Sequence, residues 1–351
     1  MIKDMQSAHS WLQAVAVYTH PRVLAMIFLG FAAGLPFLLV FSTLTYWLSD
    51  TGVDKTTIGF FTWIGITYSI KVFWAPVIDR LPLSLLSRTL GQRRAWMLVA
   101  QCTIVLGLAG MAMTDPATHL TQLALLALLV AFGSATQDIS VDAWRIEAVN
   151  KALQGAMAAS YVLGYRVALL VAGAGALYLA EFYSWPIAYL SMAALMGVGI
   201  VTTLLIGEPQ HARDARTVAL EERLENVMGI RDRQSPWQRL AAWFSDAVVS
   251  PFVEFFQRNG ALAVLILLLV GAYKLSDITM GAMAGPFYRD LGFSKTEIAN
   301  ITKIFGFFMT IAGASLGGIF VVRFGILRPL LAGAILVAST NLLFVWLANS
   351  E

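Results

Sequence analysis

The sequence holds one cysteine and four histidines in 351 residues. Cys102 lies inside an apolar run, which excludes a disulfide framework and a cysteine-based metal site. His9, His20, His119 and His211 are scattered, with no two at ligand spacing. No nucleophile motif is present, so nothing points to an enzyme or to a bound cofactor. Charge is scarce too: charged residues make up 13%, against about 25% in soluble domains. The net charge of +3 is too small to point to nucleic acid. Residues 1–22 (MIKDMQSAHSWLQAVAVYTHPR) lack a small-residue cleavage site, so they read as a retained cytoplasmic lead-in and not as a signal peptide.

What is abundant is apolar sequence, at 58% of residues. A membrane-crossing helix needs about 20 mostly apolar residues. Nine runs satisfy this, near 23–48, 57–79, 95–113, 121–146, 155–180, 186–206, 260–288, 297–322 and 327–348. Orientation follows from Lys and Arg placement. Arg80, Arg88, Arg93 and Arg94 follow the second run, seven arginines lie between residues 213 and 258, and Arg323 and Arg328 flank the loop after the eighth. The opposite loops hold only Lys55, Arg289 and Lys295. The basic side is therefore the cytoplasmic side, the amino terminus lies inside, and nine spans put the carboxyl terminus outside. The polar stretch 207–259 reads as a cytoplasmic linker; its residues 236–256 suit an amphipathic helix at the membrane surface, and a disordered linker is the alternative for its first half.

Charges inside the spans carry the functional signal, because each costs at least about 2.5 kcal/mol at membrane depth without a partner or a wet cavity. Lys71 lies in span two. Asp138 and Asp142 lie four residues apart in span four, on one helix face, with Gln137 beside them and Arg145 continuing the stripe. Arg166 is near the middle of span five, Lys274 and Asp277 are in span seven, and Lys303 is in span eight. Asp138 or Asp142 pairs with Arg166 or Lys71 across the interior; Lys274 and Asp277 pair locally. Such a carboxylate can carry a proton, and fixed Arg and Lys can hold a substrate carboxylate. The bland reading is a set of static salt bridges between helices. Arg145 and Glu147, at the helix end, read as ordinary interfacial residues. Gly30, Gly34, Pro36, Gly173, Gly175, Gly281, Gly285 and Pro286 interrupt spans, either as bends or as close-packing sites. Trp47, Trp63, Trp74, Tyr183 and Trp185 suit interfacial or cavity positions.

Six spans, a long cytoplasmic loop and further spans form the layout of the major facilitator superfamily, whose two six-helix halves are repeats. Asp79-Arg80 followed by Gly91-Gln92-Arg93-Arg94 resembles its loop motif, with Ala75 replacing the leading glycine. Gly317-Gly318 followed by Arg323-Phe324-Gly325 resembles a second copy, with Val322 where the acid would be. By that resemblance Asp79, Arg80, Arg93, Arg94 and Arg323 form a latch that holds helices in one conformation; the alternative is that they are plain positive-inside charges. The second half has three spans where a complete member has six, so the expected architecture is an all-α polytopic membrane protein with domains 1–22, 23–206, 207–259 and 260–351: a lead-in, a six-helix bundle, a linker and an incomplete carboxyl-terminal bundle.

The strings LGFAAGLPFLL (29–39), KVFWAPVIDR (71–80), SATQDISVDAW (134–144), VLGYR (162–166), YKLSD (273–277) and TKIFGFFMTIAGASLGG (302–318) together resemble the AmpG muropeptide permease family, in the peptide/acetyl-CoA transporter branch of that superfamily. The resemblance implies a multi-pass protein of the bacterial inner membrane that imports anhydro-muropeptides from peptidoglycan turnover. It implies drive by the proton gradient, with no other cofactor, and a role in wall recycling and β-lactamase induction. Asp138 and Asp142 would then be the proton-coupling acids. Lys71, Gln137, Tyr165, Arg166, Lys274, Asp277 and Lys303 would contact substrate or serve as charge partners. The partners are the muropeptide and the lipid bilayer; the oligomeric state stays open. Alternatives are another anionic cargo such as acetyl-CoA or a short peptide, a transport-inactive truncated membrane protein, or a receptor or scaffold.

Overall fold

The computed structural model describes residues 16–209, 250–260, 262–268 and 305–349. Contacts divide the chain into one unit of Met1–Glu208 with Ser294–Glu351 and another of Pro209–Phe293. The described part of the second unit includes helix Ser250–Asn259, the end of the amphipathic stretch read from the sequence. Spans one to six belong to the first unit, together with the last two helices of the chain.

The first span is α1 (Pro21–Val40) and α2 (Ser42–Asp50). Proline at the first position and the His20 ring, which accepts from the Arg22 amide at 3.2 Å, start the helix. Pro36 removes one donor from the ladder, and the run breaks at Phe41. The carbonyl of Leu39 at this break accepts from the buried Tyr189 hydroxyl at 2.8 Å.

The second expected span is not one helix. Residues 55–80 form α3 (Lys55–Phe61), a 3-10 turn, α4 (Ile66–Ile70), a second 3-10 turn over Lys71–Phe73, and α5 (Ala75–Arg80). The reason lies in the residues. This segment is dense in Thr, Ile, Val and Gly, which are poor helix formers. Pro76 is best accommodated in the first turn of a helix, and α5 starts at Ala75 accordingly.

The remaining spans are more regular. α6 (Ser84–Leu90) leads through Gly91 into α7 (Gln92–Ala112), followed by α8 (Leu120–Ala148). α9 (Gln154–Leu170) continues through a π turn at Val171–Gly175 into α10 (Ala176–Phe182). The Thr43 hydroxyl donates to the Ala172 carbonyl in that widened turn at 2.8 Å. Ser184 caps α11 (Trp185–Leu195), and α12 (Gly197–Leu205) completes the sixth span. α13 is the Ser250–Asn259 helix already given. α14 (Gly306–Phe324) and α15 (Leu327–Ala348) lie where the eighth and ninth spans were expected. Spans one, three, four, five and six are long and apolar enough to cross a membrane. The second run is broken, and most of the seventh lies outside the described residues.

α1 and α9 cross backbone to backbone. A Cβ on Gly164 would strike the Ile27 carbonyl, and one on Gly34 would come within 2.7 Å of the Tyr165 carbonyl oxygen. Around this crossing the interior splits into two apolar clusters. One gathers Leu35, Leu39, Leu44, Ile104, Leu108, Val130, Ala131, Ala168 and Tyr189 among others. The other gathers Val23, Met26, Leu29, Met97, Val141, Trp144 and Met157. On α7, α8 and α9 the residues between the two sets include the ones that carry polar groups.

Candidate functional site

The layer between the clusters is polar on each of these three helices. On α7, Gln101 falls between Met97 and Ile104; on α8, Ser134, Gln137 and Asp138 fall between Ala131 and Val141; on α9, Tyr161 and Tyr165 fall between Met157 and Ala168. The broken second span supplies Tyr68, Lys71 and Trp74, spaced three apart on one face.

Contacts pin the broken segment to α8. Lys71 Nζ lies 3.3 Å from Asp138 Oδ2. Trp74 Nε1 donates to Thr136 Oγ1 at 3.2 Å. The Lys71 and Asp138 side chains are 34% and 18% exposed, so the pair sits between a closed interior and an opening. Among the described residues, Asp138 Oδ1 is buried with no hydrogen-bond partner; so are both amide atoms of Gln101 and of Gln137, the Ser134 hydroxyl and the Tyr68 hydroxyl. Buried polar atoms are ordinarily satisfied, so this concentration of orphaned donors and acceptors is suited to water or a polar cargo.

The two acids of span four part company. Asp138 faces the layer. Asp142 is 51% exposed and pairs with Arg145 one turn on, at 3.1 Å. Of the pairings left open by the sequence, Asp138 takes Lys71 and Asp142 takes neither Lys71 nor Arg166. Arg166 has no carboxylate within ion-pairing distance among the described residues. It stands two turns beyond Ala159, on the face of α9 that packs Gly155 and Ala159 against Gly318 and Val321 of α14. Tyr165 and Tyr161 lie side by side with ring centroids 5.9 Å apart. Lys274, Asp277, Lys303, Gly281, Gly285 and Pro286 lie outside the described residues.

A second cluster sits at the start of α7 and the end of α8. Arg93, 7% exposed, donates to Asp79 at 2.6 Å and to Glu147 at 2.7 Å. Glu208 accepts from the Arg93 and Arg94 backbone amides at 2.8 and 3.2 Å, a carboxylate at the positive end of α7. Gly91 has φ +90°, and a Cβ there would collide with the Glu208 side chain. Arg94 donates to the carbonyls of Thr203 and Leu204, at the end of α12, at 2.9 and 2.7 Å. Arg80 ends α5, and Arg323 lies in the last turn of α14.

Glu147 is therefore the main partner of Arg93 and not the plain interfacial residue read from the sequence. Glu208, Gln101, Tyr68 and Tyr161 were missed as well. Gln101 left a signal, a lone amide inside an apolar run; Tyr68 left one too, three residues before Lys71. Nothing local marked Glu208, whose partners lie 114 and 115 residues away.

Comparison with known proteins agrees with this architecture. A family model described as Major Facilitator Superfamily matches residues 25–351. "Putative transporter AmpG 4" of Rickettsia conorii is 34% identical over 338 residues, 96% of this chain and 76% of that one. "Anhydromuropeptide permease" of Escherichia coli K12 is 37% identical over 331 residues; the match takes in 94% of this chain and 61% of the permease. Among solved structures, the proton:xylose symporter XylE superposes with a TM-score of 0.50 at 13% identity, over 89% of this chain and 70% of XylE. That likeness speaks to the fold alone.

Proposed function

Because the chain belongs to the Major Facilitator Superfamily, we propose that it is a proton-coupled importer of anhydro-muropeptides that works by alternating access in the bacterial inner membrane, with its amino terminus in the cytoplasm. The observation that carries this reading is the Lys71–Asp138 pair, one of whose carboxylate oxygens is left without a partner inside the polar layer. The names of the relatives supply the cargo.

Protonating Asp138 removes the charge that holds Lys71. The released ammonium can then turn to an anionic cargo, with Arg166 as a second cation. The amides of Gln101 and Gln137 and the hydroxyls of Tyr68 and Ser134 supply donors and acceptors for sugar hydroxyls. Loss of the proton to the other side restores the ion pair and expels the cargo. Breaks in the second span put the Lys71 turn where a helix can bend without rupturing a regular ladder. At the basic end, Arg93 ties Asp79 of α5 to Glu147 of α8, a latch that must open when these helices separate.

Uptake of labelled anhydro-muropeptide into vesicles holding the chain, with and without a pH gradient, tests this. The expected result is gradient-dependent uptake that Asp138→Asn abolishes or uncouples. Wild-type uptake by Asp138→Asn with an unchanged pH dependence would remove Asp138 from the mechanism. Competition by unlabelled acetyl-CoA, with none by muropeptide, would change the cargo.

A further inference from the structure

The outer surface carries a groove that the transport reading does not use. It measures about 830 Å³ and runs between the start of α1 and the end of α12. Its walls are Leu24, Ala25, Phe28, Val198, Val201 and Leu205. Leu205 is 80% exposed and Val201 55%, and no Cβ on Gly197 would meet another atom. Polar groups are few. The Thr202 hydroxyl is already given to the Val198 carbonyl at 2.7 Å. Arg22 is the one charged lining residue among the described residues, and no carboxylate is among those that line the groove.

The two helices run antiparallel, so Arg22 and Gly207 share one end of the groove while Phe28 and Gly197 lie farther along. The cation is therefore at the helix-terminal end and the apolar walls extend toward the middle of the span. Arg22 is held in place by a hydrogen bond from Nη1 to the Ala148 carbonyl, at the end of α8. A guanidinium has five N–H donors, so among the described residues most of its fork is left to meet an anion. A headgroup at the interface with a tail toward the midplane has this same polarity, and basic pockets between membrane helices recognise anionic headgroups.

We propose that this groove is a specific site for an anionic phospholipid, with one acyl chain between α1 and α12 and the phosphate on Arg22. The site is independent of the transported cargo.

Native mass spectrometry of the chain released from an equimolar mixture of phosphatidylglycerol and phosphatidylcholine tests it. The wild type is expected to retain one phosphatidylglycerol per chain, with a preference of roughly fivefold, the contribution of one basic residue near a membrane surface. Arg22→Gln should erase the preference. Because Arg22 also caps α8, Val201→Trp provides a second reading: it fills the groove, keeps the charge, and should remove the retained lipid while gel-filtration behaviour stays that of the wild type. Equal retention of both lipids by the wild type, retention of neither, or undiminished phosphatidylglycerol on Val201→Trp would each overturn the proposal.

Discussion

At the scale of single residues, the cost of a change depends on what it leaves behind. Arg93→Ala takes the guanidinium away from Asp79 and Glu147, whose side chains are 45% and 26% exposed. Water can reach both acids, so the loss should be about 1–3 kcal/mol, that of hydrogen bonds to charged groups, and a thermal melt in detergent should show it. Glu147→Gln should cost less, because Asp79 still faces the guanidinium. In the polar layer, Lys71→Met leaves Asp138 without its cation, while Lys71→Met with Asp138→Asn removes both charges. The double variant should be the more stable of the two; if it melts below the single one, the pair is not the dominant interaction there. The charged residues of this layer were legible in the sequence, since a lysine and an aspartate inside apolar runs stand out. Which cation Asp138 would choose was not legible: that depends on helix rotation and on the break at Lys71, and neither is written in spacing.

At the scale of elements, close approach and unsatisfied carbonyls decide the outcome. Gly164→Ala drives a methyl into the Ile27 carbonyl of α1, so a loss of about 1–3 kcal/mol is expected. Gly197→Ala meets nothing and should gain about 0.5 kcal/mol through the unfolded chain. Equal melting of the two variants would argue against the α1–α9 crossing. Tyr189→Phe leaves the Leu39 carbonyl buried and unpaired at the helix break, at a cost of about 1–3 kcal/mol. At the start of α3, the Thr57 side chain and amide hold the Asp54 carboxyl below its usual range. A depressed value in the folded state means the cap contributes above the ordinary carboxylate range and is lost as pH falls through the lowered value. The Thr57 amide resonance should titrate with that lowered midpoint. Positions of spans one, three, four, five and six were readable because length and apolarity alone mark them. The fragmentation of the second was hidden, since hydropathy counts Thr, Ile and Val as membrane-compatible and takes no account of their poor helix propensity.

At the scale of the whole molecule, the span assignment makes a prediction about Cys102, which is exposed halfway along α7. A nitroxide attached there should be relaxed by oxygen dissolved in lipid and not by a water-soluble nickel chelate; strong relaxation by nickel would place α7 outside the bilayer. The division of the interior into two apolar clusters, with polar groups between them, has a consequence of its own. Each cluster is knit by its own side chains and they share no member, so α1, α7, α8 and α9, which run through both, are what joins them. Opening need not spread across the layer. Amide exchange should resolve two free energies, one for helix segments around Leu108 and Val130 and another for those around Met97 and Met157. Leu108→Ala should lower the first more than the second, because the side chains between the clusters are largely polar groups and the link is left to helix backbone.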